Sequence, residues 1–308
     1  MRILITGEKS YIGLKLKQWL NQWPDRYEVD NISLKNDVWK QKDLSIYDSI
    51  IHVAAIVHQK ENSNSRNTFY LVNRDLTKAL ALKAKSSGVK HFVFLSSMSV
   101  YGLDGKIGAE VIIDKNTPCN PNTLYGKSKL AAEFELKKIM DERDFKVAIV
   151  RPPMVYGPDC PGNYARLSKL VKRSLVFPEY ENKRSMIYID NLTEFIRLII
   201  DTQAQGLFFP QNKEYVNIKD LIDLIAQVNS KRIYFSTLLS KIMNLFKNRI
   251  EIFNKVFGNL TYNQELSSHQ NFNYCITEFK ESIINSELRN MNLKSRWSHK
   301  NEDTAIGK

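Results

Sequence analysis

The sequence predicts an α/β fold, a doubly wound parallel sheet carrying a smaller C-terminal lobe. Three observations lead there. Short β-branched runs alternate with helical patterns through the first half, a glycine-bearing turn joins the first run to the first helix, and strict alternation is lost after Arg151. The runs lie near Ile3 to Thr6, Val29 to Ser33, Ile50 to Ala54, Phe92 to Ser96 and Val147 to Val150. Between them, Ile12, Leu16, Trp19 and Leu20 mark one helix face, and Val72, Leu76, Ala79 and Leu80 another. A further helix starts near Asn122 and Thr123, which can cap its free amides, and it carries Leu130, Phe134 and residues 136–140 as packing residues. Beyond it, P-P-M-V-Y-G-P-D-C-P-G strings turn formers into a loop that should cross a cleft. Helices follow near Asn191 to Ile200, capped by Asp190, and near Asn217 to Val228.

A chain of 308 residues with 43% hydrophobic content can build a sizeable core and is not disordered. Its net charge of +12 attracts anions of any kind, but the lysines are scattered and no nucleic-acid motif accompanies them, so nucleic acid is not an expected partner. No apolar run reaches the roughly 18 residues of a membrane span. Met1 leads directly into the first strand instead of a secretory leader, which predicts a cytoplasmic location. Cys119, Cys160 and Cys275 are odd in number and widely spaced, and the histidines show no mutual metal spacing, so neither a disulfide framework nor a metal site is expected. The segment 237–258 is amphipathic and basic. Either Leu238, Ile242, Leu245 and Phe246 face the core of the small lobe, or the segment rests on an acidic membrane surface. Residues 290–308 read as a flexible tail.

Two motifs carry chemistry. T-G-E-K-S-Y-I-G, Thr6 to Gly13, lies where a strand turns into a helix, so Gly7 and Gly13 let the backbone approach a pyrophosphate at a helix N-terminus. Y-G-K-S-K sets Tyr125 and Lys129 one helical turn apart on a common face, shortly after the serine-rich strand end F-V-F-L-S-S-M-S. A lysine charge so placed would lower the phenol's pKa and make it a proton donor or acceptor for a sugar hydroxyl or ketone.

With H-V-A-A at His52 to Ala55, V-N at Val72 and Asn73, S-S-M-S-V-Y-G at Ser96 to Gly102, R-P-P-M-V-Y-G-P from Arg151 and R-S-M-I-Y-I-D-N-L from Arg184, the chain resembles an extended short-chain dehydrogenase/reductase of the nucleotide-sugar epimerase/dehydratase type. Ser10 stands where that family has its middle glycine. The resemblance implies a Rossmann-type NAD(P)-binding domain over 1–160, with Arg184 to Ile200 returning to it, and a substrate lobe over 161–289. It implies Tyr125 as the acid/base, Lys129 as the group that grips the nicotinamide ribose, and Ser97 as hydrogen-bond donor to the reacting oxygen. Cofactor contacts are implied at Gly7, Ser10, Tyr11, Ile12, Gly13, Ala54, Ala55, Asn73 and Pro152, and at Asp37 and Val38 beside the adenine. Ser99, Asn163 and Arg184 are the implied substrate contacts beside Ser97, with the guanidinium's planar fork suited to a diphosphate.

At the end of the second strand, where an acid would grip the ribose of NAD, stands Ser33 with Lys35 beside it. A hydroxyl and an ammonium favour a 2′-phosphate, so NADP(H) is expected over NAD(H). Dehydratases of this family carry an Asp-Glu pair straight after the catalytic Ser/Thr, and here Met98 and Ser99 hold those places. The expected activity is reduction of the C4 ketone of a UDP-linked 6-deoxy-N-acetylhexosamine for surface polysaccharide. The alternatives are an NAD-dependent UDP-sugar 4-epimerase and, more remotely, a non-catalytic nucleotide sensor. The resemblance also implies a homodimer.

Overall fold

The computed structural model describes residues 1–57, 65–246, 251–268 and 272–288. In chain order, β1 (Arg2–Thr6), α1 (Tyr11–Leu20), β2 (Glu28–Ile32) and β3 (Ser49–His52) are followed by α2 (Ser65–Tyr70) and α3 (Leu76–Ser86). Next come β4 (His91–Leu95), β5 (Ile112–Ile113), α4 (Leu124–Ile139), β6 (Lys146–Val150), β7 (Met154–Tyr156) and α5 (Asn163–Val171). The remainder runs β8 (Val176–Pro178), β9 (Met186–Tyr188), α6 (Ile189–Thr202), β10 (Gly206–Phe208), α7 (Ile218–Val228), β11 (Tyr234–Ser236), α8 (Thr237–Phe246), α9 (Glu251–Phe257) and β12 (Thr261–Tyr262).

The central sheet has six parallel strands in the order β2-β1-β3-β4-β6-β10. Strand alternation sorts the core into two layers. Ile3, Ile5, Ile51, Val93, Leu95, Ala148 and Val150 point one way, onto Leu16 and Leu20 of α1 and Phe195, Ile196 and Ile199 of α6. Leu4, Ile50, Phe92, Phe94, Val147 and Ile149 point the other way, onto Leu80, Ala81 and Ala84 of α3 and Ala132 and Leu136 of α4. The winding order reverses between the parallel strands β1 and β3, so a crevice opens beyond their carboxyl ends at this switch point. The sixth strand was not expected from the sequence. Only three residues, Gly206 to Phe208, pair with β6, too few to show a period.

Two histidines tie the strands together while remaining neutral. His52 is hydrogen-bonded through Nδ1 to Thr6 Oγ1 (2.7 Å) and through Nε2 to Thr77 Oγ1 (2.8 Å), and His91 bridges Ser49 Oγ and the Ala204 carbonyl. Burial pulls their pKa values down from 6.5, to about 3 and about 4. Because the unfolded chain then binds more protons than the folded one, stability is complete above pH 6.5 and falls as acid is added. At pH 5 each histidine should cost about 2 kcal/mol. Urea unfolding at pH 7.5 and pH 5 should show this loss, and an unchanged midpoint would contradict it.

The structure corrects several expectations about faces. A π-helical turn, Leu71–Asp75, joins α2 to α3 and its extra residue rotates the following face, so Leu80 is buried as expected, but Ala79 is exposed and Thr77, Ala81 and Ala84 are buried in its place. Phe134 is 52% exposed, not packed. Asp190 lies inside the first turn of α6, whose N-cap is Tyr188. Phe177, Tyr180 and Tyr188 are buried in a hydrophobic cluster shared with α5 and α7. On α8, Leu238, Ile242 and Leu245 point outward, which rules out the first of their two readings, that they face a core; the side chain of Phe246 lies outside the described residues, as do 289–308 with the expected tail.

Candidate active site

The turn after β1 is built for close approach. Gly7 has φ +87, and a Cβ there would meet Ala54 Cα at 3.1 Å, so glycine satisfies both the backbone and the space. Ser10 is the N-cap of α1 and its Oγ accepts from Gly13 N at 3.0 Å. The serine therefore occupies one helix-start amide that a glycine would have left open, while its own proton stays available to donate. Tyr11 Oη is buried without a hydrogen-bond partner, an orphan donor beside this turn.

The serine-rich strand end forms the opposite wall. Ser97 caps the 3₁₀ turn Met98–Tyr101, and its Oγ accepts from Ser99 N (3.2 Å) and Ser99 Oγ (3.0 Å). Thr123 caps α4 by accepting from Gly126 N. A Cβ on Gly126 would fall 2.5 Å from the Ser99 carbonyl, so this glycine lets α4 lie against the turn. Tyr125, in the first turn, is thereby hydrogen-bonded to Ser97.

Lys129 is buried; its Nζ donates to the Leu95 carbonyl at 2.7 Å and sits 4.5 Å from the Phe94 ring centre. Burial pushes the Lys129 pKa down to about 7 against the opposing pull of Glu133. Burial likewise pushes the Tyr125 phenol up to about 12, with the Ser97 hydrogen bond acting downward. The direction is opposite to the expected lowering: removal from water dominates, and the group acting downward is Ser97.

Behind these groups lies a buried network that sequence reasoning missed. Arg151 donates through Nε to Glu133 Oε1 (3.0 Å), through Nη2 to Oε2 and through Nη1 to Tyr101 Oη (2.8 Å), while Ser96 Oγ donates to the same carboxylate. Tyr262 Oη, from β12, donates to the Arg151 carbonyl. The available signal was the spacing: Tyr125, Lys129 and Glu133 recur every four residues on one face of α4.

Ser10, Tyr11, Ile12, Ala55, Ser97, Ser99, Tyr125, Lys129, Pro152 and Asn163 all line one cleft of about 620 Å³. Gly7, Gly13 and Ala54 lie directly behind the turn that forms its wall. Asn73 is not on that wall: it holds Ile56 N and O and donates to Ser128 Oγ, pinning the loop after β3 to α4. Ser33 and Lys35 follow β2, outside the lining residues; Asp37 and Val38 sit on an exposed 3₁₀ turn where Asp37 pairs with Lys40. Arg184 is not among the lining residues and donates to the Gly258 carbonyl at 2.9 Å. Leu103, Cys160 and Leu260 complete the cleft, and Leu260 comes from a segment without any motif, so no local signal announced it.

A family model described as the NAD dependent epimerase/dehydratase family matches residues 3–218. UDP-glucose 4-epimerase of Vibrio cholerae is 31% identical over 248 residues, 73% of this chain and 74% of that protein. N-acetyl-alpha-D-glucosaminyl-diphospho-ditrans,octacis-undecaprenol 4-epimerase of Escherichia coli O157:H7 is 24% identical over 75% of this chain and 73% of its own. Among solved structures, UDP-glucuronic acid 4-epimerase from Bacillus cereus in complex with NAD superposes with a TM-score of 0.73 at 19% identity, covering 95% of this chain and 99% of the other, a likeness of fold.

Proposed function

The chain belongs to the NAD dependent epimerase/dehydratase family, and from that premise we propose that it reduces the C4 ketone of a UDP-linked 4-keto-6-deoxy-N-acetylhexosamine with NADPH, in the synthesis of surface polysaccharide. The observation that carries the catalytic part is the convergence of Ser97, Tyr125 and Lys129 in one cleft with the turn after β1.

A dinucleotide fits the residues present: the bare turn at Gly7, the free Ser10 proton and the orphan Tyr11 hydroxyl are suited to a pyrophosphate. Bound there, it supplies the hydride. Tyr125, a phenol still protonated at neutral pH, gives its proton to the C4 oxygen, and Ser97 donates a hydrogen bond to that same oxygen. Lys129 has donors to spare beyond the one on Leu95, and an anionic ligand beside it would restore its charge. Because Met98 and Ser99 follow Ser97, the cleft wall offers no carboxylates there for removing water from a sugar.

The preference for NADPH rests on β2. Ile32 pairs with Thr6, so Ser33 is the first residue past the strand, whereas Asp30 is already held by Tyr47 Oη (2.6 Å) and Arg2. A 2′-phosphate would meet Ser33 and Lys35 without a carboxylate opposing it. Likewise proposed are the division into a dinucleotide lobe, 1–160 with Arg184 to Ile200, and a substrate lobe, 161–289, with Arg184 and Asn163 on the diphosphate side. A homodimer through α3 and α4 is supported by exposed Leu82 on α3 and Phe134 on α4, with exposed Leu71 in the π turn that precedes α3.

The second reading is a UDP-sugar 4-epimerase, favoured by the Vibrio cholerae relative. Incubation with a UDP-4-ketosugar and NADPH separates the two. Loss of nicotinamide absorbance in step with product is expected, whereas interconversion of UDP-hexoses without net consumption would replace reduction by epimerisation.

A further inference from the structure

We propose that the C-terminal lobe docks on an anionic lipid bilayer through α8 and the strand ribbon beside it. On α8, Leu238, Ile242 and Leu245 recur at i, i+4 and i+7 and are 67%, 46% and 80% exposed. The helix cannot rotate to hide them, because its other face is committed: Glu179 N donates to Ser240 Oγ (2.7 Å), Tyr180 Oη donates to the Ser240 carbonyl (2.9 Å), and Met243 is buried in the lobe's core. In the adjoining ribbon, Val176 and Tyr234 are register partners and are also exposed.

Charge selects the occupant. Neither the stretch from Cys160 to Pro178 nor that from Leu224 to Ile250 contains an aspartate or glutamate, and β8 pairs with β11 to bring the two stretches side by side. Arg166, Lys169, Arg173, Arg232 and Lys241 are exposed within them. Two carboxylates that touch this part of the lobe are paired, Glu179 with Lys219 at 2.7 Å and Glu287 with Lys172 at 2.5 Å, while Asp223 and Glu181 stand at its margin. An aliphatic stripe flanked by uncompensated cations matches the boundary between acyl chains and anionic headgroups. A second copy would set like charges face to face, and a nucleic acid would leave the three aliphatic side chains without a partner. No helix among the described residues is long and apolar enough to cross a membrane, so the helix would lie in the plane of the surface.

Vesicle flotation tests the proposal with the full chain. Vesicles of phosphatidylcholine with about a third phosphatidylglycerol should carry the protein at least about tenfold better than phosphatidylcholine alone, with the difference shrinking in about 1 M salt. The combined substitution Leu238→Glu, Ile242→Glu and Leu245→Glu should cut flotation about tenfold while leaving the thermal unfolding midpoint and nicotinamide-cofactor affinity unchanged. Three results would overturn the proposal: equal carriage by both vesicle types, undiminished flotation of the substituted protein, or light scattering showing a dimer that the substitutions dissolve.

Discussion

Replacing Tyr125 by phenylalanine should lower kcat for the ketosugar by about 10²–10⁴-fold, the usual range for losing a positioned proton donor, with affinity for the nicotinamide cofactor unchanged. The proposed role as donor agrees with burial, which pushes the phenol's pKa up to about 12 and so keeps its proton on at neutral pH. Ser97→Ala should cost about 10²-fold in kcat by removing a hydrogen bond to the same oxygen. The two substitutions together should be little worse than Tyr125→Phe, since both groups act on one atom in one step. Steady-state rates with a UDP-4-ketosugar, paired with calorimetric titration of NADPH, check all three. A Tyr125→Phe protein keeping more than about a tenth of its kcat would remove the tyrosine from the reaction.

Arg151→Met should destabilise the fold by about 3–5 kcal/mol, because it strands the Glu133 carboxylate in a site where its relative exposure is 0%. Glu133 accepts from both Arg151 and Ser96, so no water-facing alternative is at hand when the guanidinium is gone. The paired substitution Glu133→Leu with Arg151→Met should recover most of the loss, since neither charge then has to be desolvated. Urea denaturation midpoints at pH 7.5 measure each step. Should Arg151→Met shift stability by less than about 1 kcal/mol, the carboxylate must be protonated or hydrated in the folded state, and the ion pair would be the wrong description.

That Ser97, Tyr125 and Lys129 share one cleft was legible because the parts are short-range. Tyr125 and Lys129 meet through helical spacing, Ser97 through its place at a strand end, and Gly7 and Ser10 through the turn that opens the chain. The pKa of Tyr125 was not legible in the same way. Sequence spacing supplied a neighbouring charge, yet burial depends on which segments close over the site, and these include Leu103, Cys160 and Leu260 from far along the chain. Burial then pushed the phenol's pKa up, against the expected direction, and the lysine's down.

By itself the sequence determined the five main parallel strands, the α/β winding, the glycine turn after β1 and the spacing of Tyr125 and Lys129, because two-residue and four-residue periods are local properties of the backbone. Tertiary structure alone decided that β10 extends the sheet, that a π turn rotates α3, that Arg151 finds Glu133, and that Leu238, Ile242 and Leu245 look outward. A period states that a helix has two faces; only the partner that covers one of them, here Glu179 and Tyr180 against Ser240, fixes which face is left to the solvent.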